Sequence, residues 1–211
     1  QIVIAKSKRK GKRHAVELAS GEKLRLESET VFKYALFEGA EFTPERWREI
    51  LVEARRQECY GRLLDLLAQR QHTETEMRRK LRQRGFTADT VKHTLARAAE
   101  LNLLDNAAFA AAYVDEKLAA GRQGRRKITA ELRRRGVDQE HIDAAFETFC
   151  KAHGDDAEWE NLLAVTRRKW DALAREPDPR KRRHRLLAFL ARRGFTAEDA
   201  YRAVDLVADD E

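Results

Sequence analysis

The sequence has few of the residues that mark disulfide-stabilised, membrane-spanning or thiolate metal-binding proteins. Only two cysteines, Cys59 and Cys150, occur in 211 residues, and no CxxC pair is present. This spacing argues against a disulfide scaffold, so we interpret both cysteines as buried small residues. No apolar run approaches the ~20 residues of a membrane span, and no signal-peptide pattern occurs. Although the chain begins at Gln1 rather than methionine, we expect a cytoplasmic protein without membrane contact.

The motifs of common catalytic and metal sites are absent as well. The six histidines lack ligand spacing such as HExxH, and neither GxxxxGK[ST] nor GxSxG occurs. The carboxylates are scattered over amphipathic segments, so a two-metal nuclease has little support. We therefore predict a protein with no enzymatic activity, no metal and no cofactor.

What the sequence does have is charge in a helical pattern. Three prolines, 37% charged and 42% apolar residues are typical of helices with one solvated face, so we expect a mainly α protein. The net charge of +7 is unevenly placed, because residues 1–20 contain six Lys or Arg and one Glu. This distribution favours an anionic partner.

The first forty residues have the alternation of β-strands. Residues 2–5, 16–18 and 24–26 read as three short strands. A two-residue Ser20-Gly21 loop would pair apolar with charged residues, setting Val16 opposite Arg25 and Leu18 opposite Lys23. A three-residue loop, residues 20–22, instead pairs Val16 with Leu26 and Leu18 with Leu24, and we prefer that register. Residues 6–13, KSKRKGKR, then form a basic loop between the first strand and the hairpin.

From about Thr43 the period is helical, and one pattern occurs three times. The segments MRRKLRQRGFTADTV (77–91), ITAELRRRGVDQEHI (128–142) and LLAFLARRGFTAEDA (186–200) align on a glycine. Each has a leucine four residues before the glycine and a cap residue two after it. The leucines are Leu81, Leu132 and Leu190, and the caps are Thr87, Asp138 and Thr196. With one more helix upstream of each segment, the repeating unit has three helices.

We therefore predict a mainly α fold of three tandem three-helix repeats that form an elongated, curved body, with a small N-terminal β-hairpin or three-strand extension. The expected domains are residues 1–42 (β-rich extension with one short helix), 43–104 (repeat 1), 105–152 (repeat 2) and 153–211 (repeat 3). Trp47, Trp159 and Trp170 fall beside apolar neighbours, which favours core packing over base stacking.

The candidate binding residues are chosen by charge, because the middle helix of each repeat is basic. They are Lys8, Arg9, Lys10, Lys12 and Arg13 in the N-terminal segment; Arg78, Arg79, Lys80 and Arg82 in repeat 1; Arg125, Arg126, Lys127 and Arg133 in repeat 2; and Arg182, Arg183 and Arg185 in repeat 3. Cations in the last turn of a helix also meet the helix dipole, so some of these residues have a purely structural explanation. Gly121 and Gly124 form a GxxG that would cradle a phosphate, but we favour Gly121 ending one helix and Gly124 starting the next.

The segment LNLLDNAAFAAAYV (101–114), followed by Gly121, Gly124, Ile128 and Leu132, resembles the central motif of the RecX family of bacterial regulators of the RecA recombinase. The resemblance implies a non-catalytic protein that binds the RecA filament on single-stranded DNA and limits its growth or promotes its disassembly. It implies no catalytic residue.

A second hypothesis stays open, since three-helix units with a glycine turn also describe helix-turn-helix DNA readers. The third helices are mixed or acidic, as Asp89, Glu140 and Glu198 show, which disfavours sequence-specific readout. Under either hypothesis we expect nonspecific binding to single- and double-stranded DNA by a monomer.

Overall fold

The computed structural model describes residues 1–11, 13–121 and 123–209 of the chain. It has two compact units, Gln1–Leu104 and Asp105–Glu211. The strands are β1 (Ile2–Lys10), β2 (Arg13–Leu18), β3 (Lys23–Glu27) and β4 (Glu41–Phe42). The helices are α1 (Ser28–Lys33), α2 (Pro44–Leu67), α3 (Glu74–Gln83), α4 (Ala88–Glu100), α5 (Asn106–Ala119), α6 (Arg125–Arg134), α7 (Gln139–His153), α8 (Ala157–Ala172), α9 (Pro179–Arg193) and α10 (Ala197–Asp209). The mainly α prediction is confirmed.

The four strands form one antiparallel sheet in the order β3-β2-β1-β4 at the start of the first unit. Its inner face, which includes Ile4, Val16 and Leu18, packs against Trp47 and Ile50 of α2. The short strand β4 is an addition to the three strands that the sequence predicts. Within the described residues it pairs with the start of β1, at Ile2 and Val3.

The predicted basic loop at residues 6–13 is wrong, because β1 continues through Lys10 and pairs with β2. Ser7 lies opposite Val16 and Arg9 opposite His14, and the chain reverses around Gly11, which has a φ of +66°. β1 has no apolar residue between Lys6 and Lys10, so the sequence there lacks the alternation of apolar and polar residues that indicates a strand. The apolar residues of that face are supplied by β2 instead.

The predicted hairpin register is also wrong, by two residues. Val16 pairs with Leu24 and His14 with Leu26, so the loop between β2 and β3 is centred one residue earlier than expected. Gly21 has a φ of +87° and donates its N–H to the carbonyl of Leu18. A three-residue hairpin loop places its left-handed residue last, and Gly21 takes that position at no steric cost.

The three-helix repeats are confirmed, as α2–α4, α5–α7 and α8–α10. The aligned leucines Leu81, Leu132 and Leu190 are all fully buried, each in the core of its own repeat. The residues one turn earlier, which are Met77, Ile128 and Leu186, are fully buried too. The spacing of four residues therefore marks the inward face of each middle helix.

Each middle helix ends at its glycine, as predicted. Gly85, Gly136 and Gly194 have φ values of +82°, +80° and +83°, which L-residues rarely adopt. Thr87 then caps α4, since its Oγ1 accepts from the Thr90 N–H. Asp138 occupies the equivalent position before α7, but its side chain makes no capping hydrogen bond.

The cysteines and tryptophans pack into the protein interior, as the sequence indicates, although Cys150 and Trp159 are only half-buried. Cys59 is fully buried and Cys150 is half-buried, and burial raises the pKa of both thiols. Trp47 and Trp170 are buried, whereas Trp159 is half-buried with the Arg202 guanidinium 4.5 Å from its ring centroid. Among the described residues, no helix has the length and hydropathy needed to cross a bilayer.

Candidate nucleic-acid and partner-binding surfaces

The outer face of the N-terminal sheet is basic. Strand pairing places three rows of side chains there, and the rows are Lys6-Glu17-Lys23, Lys8-Ala15-Arg25 and Lys10-Arg13-Glu27. The face therefore holds six cations and two carboxylates. Alternate residues of a strand are about 6.6 Å apart, so the cations of β1 form a regular row. We call these nine residues the basic sheet face.

Only part of the basic sheet face is neutralised. Arg13 Nε lies 2.7 Å from Glu27 Oε1, and Lys23 Nζ lies 3.9 Å from Glu17 Oε1. In the described part of the chain, Lys6, Lys8, Lys10 and Arg25 have no ion pair. Arg25 lies outside the predicted set, and its alternation on β3 would have identified it.

The other N-terminal candidates differ in position. Arg9 points to the opposite side of the ribbon, opposite His14, and its Nε donates to the Gly11 carbonyl at 3.1 Å. The candidate Lys12 lies outside the described residues. β4 pairs only with Ile2 and Val3, so within the described chain the edge of β1 beyond Ala5 is not covered by a strand.

In repeat 1, the candidates on α3 divide into bonded and unbonded cations. Arg78 forms an ion pair with Glu74, and Arg82 donates to the Phe86 carbonyl at 2.7 Å, which closes the turn after α3. Arg79 is exposed and Lys80 half-buried, and neither makes a hydrogen bond or ion pair with a described residue. Arg79 and Lys80 are therefore the cations of α3 that a partner would find unneutralised.

In repeat 2, Arg125 has a structural role. Its guanidinium lies 3.2 Å from Glu158, 3.7 Å from Asp143 and 4.2 Å from the centroid of the Phe146 ring. Arg133 donates to Gln139 at 2.8 Å. Arg126 and Lys127, in the first turn of the same helix, have no carboxylate partner in the described chain.

In repeat 3, all three candidates are engaged within the protein. The Arg182 guanidinium lies 3.6 Å from the Trp170 ring centroid and donates to the Trp170 carbonyl at 3.0 Å. Arg183 pairs with Asp205, and Arg185 Nη1 lies 2.5 Å from Glu176 Oε2. These three arginines hold α9 against its neighbouring segments. Fewer cations of α9 are therefore available to a partner than its sequence suggests.

The GxxG lies at a helix boundary, which is the interpretation that the sequence favoured over a phosphate cradle. Gly121 follows α5 and Gly124 is the N-cap of α6, as we favoured. The Gly124 N–H donates to the Arg193 carbonyl at 2.8 Å, and the Arg126 N–H donates to the Gly194 carbonyl at 3.1 Å. Two of the amides at the start of α6 that a phosphate would need are therefore occupied by the turn between α9 and α10.

Comparison with known proteins identifies the family. Family models described as the first, second and third three-helix domains of RecX match residues 59–97, 105–145 and 156–204. A regulatory protein RecX of Chlorobaculum tepidum is 32% identical over 159 residues, which are 75% of this chain and 94% of that protein. This chain belongs to the RecX family. A RecX of Halorhodospira halophila is 39% identical over 151 residues, 70% of this chain and 86% of that protein.

A solved RecX structure supports the fold in addition. The crystal structure of a regulatory protein RecX aligns with 99% of this chain and 100% of its own, with a TM-score of 0.74 and 21% identity. At that identity the likeness concerns the fold alone.

The motif that carried the RecX resemblance is structural in this chain. Asp105 caps α5 by accepting from the Ala108 N–H at 2.9 Å, and Phe109 is buried in the core of repeat 2. Tyr113 donates to Glu131, which ties α5 to α6, and burial together with this bond raises the pKa of Tyr113 to about 12. The motif therefore specifies how the repeat folds and gives no information about the binding residues.

Proposed function

We propose that this protein is a non-enzymatic regulator of homologous recombination that binds the RecA filament on single-stranded DNA and inhibits its extension, ATPase activity and strand exchange. Membership of the RecX family supports a regulatory role. The observation that carries the proposal is the presence of unneutralised cations on separate elements, namely the basic sheet face, α3 and α6. Several weak contacts to one extended partner add up through effective concentration.

The structure narrows the residues proposed for this contact. We retain Lys8, Lys10, Arg79, Lys80, Arg126 and Lys127, and we add Lys6 and Arg25 from the basic sheet face. Arg13, Arg78, Arg82, Arg125, Arg133, Arg182, Arg183 and Arg185 bond to groups of the protein itself. We therefore assign these eight arginines to stability rather than to binding.

The proposal also covers the domain organisation and the oligomeric state of the protein. We propose that residues 43–104, 105–152 and 153–211 act as repeats and residues 1–42 as an extension, and that the protein works as a cytoplasmic monomer without a cofactor. Each repeat has its own buried core, which supports treating it as a structural unit. Sedimentation of the purified protein tests the monomer.

The direct test is the RecA ATPase on single-stranded DNA, measured with increasing substoichiometric amounts of this protein. We expect inhibition at ratios well below one, because a protein that blocks filament extension acts on many RecA subunits at once. Unchanged ATPase and strand exchange at every ratio would remove the proposed function.

A matched pair of variants identifies the contact residues. Reversing Arg79, Lys80 and Arg126 to Glu should abolish inhibition while changing the free energy of unfolding by less than about 0.5 kcal/mol, because their side chains are unbonded. Reversing Arg182 alone should destabilise the protein, since it leaves the Trp170 ring and carbonyl without their partner. If the triple variant inhibits normally, these helices do not contact the filament.

The second candidate function is direct, sequence-nonspecific binding to DNA. The basic sheet face favours it, because four of its cations are unneutralised and a row of cations suits a phosphate backbone. Such binding would weaken steeply as salt rises, and it would persist without RecA. Fluorescence anisotropy with unrelated DNA sequences measures this binding, and the RecA ATPase separates the two functions, since DNA binding without ATPase inhibition would favour direct action on DNA. Tight, salt-resistant, sequence-dependent binding would instead favour a helix-turn-helix reader.

A further inference from the structure

A groove of about 610 Å³ lies in the second unit, where the N-terminal turn of α6 meets α9 and α10. Its floor is apolar and small, with Leu187 beside four alanines, which are Ala188, Ala191, Ala197 and Ala200. Phe195 and Tyr201 complete the apolar lining, and Tyr201 is 58% exposed. A floor of alanines lets a partner backbone approach closely, and the volume is within the usual range for ligand sites, about 300–1,000 Å³.

The rim of the groove has one sign of charge. Arg126 and Lys127 contribute cations from α6 and Arg192 contributes one from α9, where the imidazole of His184 also lines the groove. No carboxylate is among the lining residues, and Arg126, Lys127 and Arg192 have no ion pair in the described part of the chain. Every charged residue among these lining residues is therefore a Lys or Arg, although the chain as a whole has 36 Asp and Glu beside 43 Lys and Arg.

The groove is held open by backbone contacts rather than by side chains. Gly124 and Arg126 of α6 donate to the carbonyls of Arg193 and Gly194, so α6 is fixed against the turn between α9 and α10. A side chain at Gly194 would lie 2.3 Å from Lys127 Cβ. The cationic wall and the apolar floor therefore have a defined separation before any ligand binds.

We propose that this groove binds an acidic segment of a partner protein through one apolar side chain on the alanine floor and carboxylates at the rim. An anionic, apolar-anchored peptide matches both the charge and the floor. A nucleic acid backbone would satisfy the rim but would leave the floor unused. The inference deepens the proposed function and rests on it only in taking the partner to be a protein.

The test uses a synthetic probe and does not involve RecA. A short fluorescein-labelled peptide of Glu and Asp with one central leucine is titrated with the full chain, and anisotropy is recorded. We expect saturable one-to-one binding. Serine in place of leucine, or Gln and Asn in place of the acids, should each weaken the affinity at least about tenfold, because each removes one half of the recognition.

Two groove variants and one control locate the site. Arg126→Glu with Arg192→Glu reverses the rim, and Ala191→Trp fills the floor from an exposed position that tolerates bulk. Both should lose at least about tenfold in affinity, whereas Arg134→Glu, an exposed reversal on α6 outside the groove, should lose less than about twofold. Circular dichroism confirms that the variants remain folded.

The results that would overturn the inference are specific. Equal affinity for the leucine and serine peptides would show that the floor is not used. Displacement of the peptide by single-stranded DNA at equal charge would assign the rim to phosphate, and concentration-dependent dimerisation that Ala191→Trp abolishes would assign the groove to a second copy of this chain. Because the peptide assay contains no RecA, loss of peptide binding would reject the groove proposal without deciding the ATPase test of the proposed function. Normal peptide binding with no ATPase inhibition would support the groove proposal and reject RecA as the partner.

Discussion

Replacing Gly124 with alanine should loosen the contact between repeats 2 and 3 within the second unit. Gly124 has a φ of −89°, a value that alanine adopts freely, so the substitution introduces no backbone strain of its own. The added Cβ would lie 2.6 Å from both the Gly194 carbonyl oxygen and the Phe195 nitrogen. The cost must therefore come from the close approach of two backbone segments.

The expected loss of stability follows from how far α6 must move to make room for the added Cβ. Relieving a 2.6 Å contact to about 3.5 Å shifts α6 by nearly 1 Å, which stretches the hydrogen bonds of 2.8 Å and 3.1 Å that Gly124 and Arg126 donate. Breaking these two backbone hydrogen bonds costs about 1–3 kcal/mol together, and overpacking without a shift costs about 1–3 kcal/mol. Alanine regains about 0.4–1 kcal/mol from the unfolded chain. Since the shift and the overpacking are alternatives, we expect a net destabilisation of up to about 2.6 kcal/mol, and of about 1.3 kcal/mol at mid-range.

Urea unfolding followed by circular dichroism measures this destabilisation, and Gly61 provides the matched control. Gly61 lies inside α2, and an added Cβ there meets no atom within 4 Å. Gly61→Ala should therefore stabilise by about 0.5–1 kcal/mol, opposite in sign to Gly124→Ala. If Gly124→Ala stabilises the protein as Gly61→Ala does, α6 does not pack against Gly194 as described.

Three further predictions concern the core, the sheet and one buried histidine. Leu132→Ala should destabilise by about 2–5 kcal/mol because Leu132 is fully buried, and a melting curve that overlays the parent would contradict the packing of repeat 2. Lys8→Glu with Lys10→Glu should flatten the logarithmic salt slope of DNA binding by roughly one unit for each phosphate that the protein no longer neutralises; an unchanged slope would exclude the basic sheet face. Burial lowers the pKa of His72, so the unfolded chain takes up a proton that the folded chain does not, and stability falls as pH drops below about 6.5. Urea titrations at neutral and mildly acidic pH should show a smaller fall for His72→Gln, and an equal fall would contradict the assignment.

The helical repeats were predictable because their signals are local. A leucine four residues before a glycine fixes both the buried face and the end of a helix, and Leu81, Leu132 and Leu190 are buried as that rule requires. The glycine supplies a conformation that no other residue adopts cheaply. Neither inference needs knowledge of what lies elsewhere in the chain.

The binding surface was only partly predictable, because neutralisation depends on partners distant in sequence. Arg125 meets Glu158, which is 33 residues away, and Arg183 meets Asp205, which is 22 away. A prediction from charge composition treats such arginines as available to a partner, although in the folded protein they already form ion pairs. Strand register is long-range in the same way, so the continuation of β1 through Lys10 became clear only from its pairing with β2.

The repeated sequence RGFTA, at residues 84–88 and 193–197, shows how the repeats share a fold while their surfaces have diverged. Counting back from the glycine, the positions of Arg79 and Arg82 in repeat 1 correspond to Ala188 and Ala191 in repeat 3, which form the floor of the groove. The same face of the middle helix is therefore cationic in one repeat and apolar in the other. Gly85 has open space around it, whereas Gly194 has α6 packed directly on it. The fold constrains the buried positions of the middle helix, such as Met77, Leu81 and their equivalents, and these two positions lie outside that buried set. They are therefore free to differ between repeats.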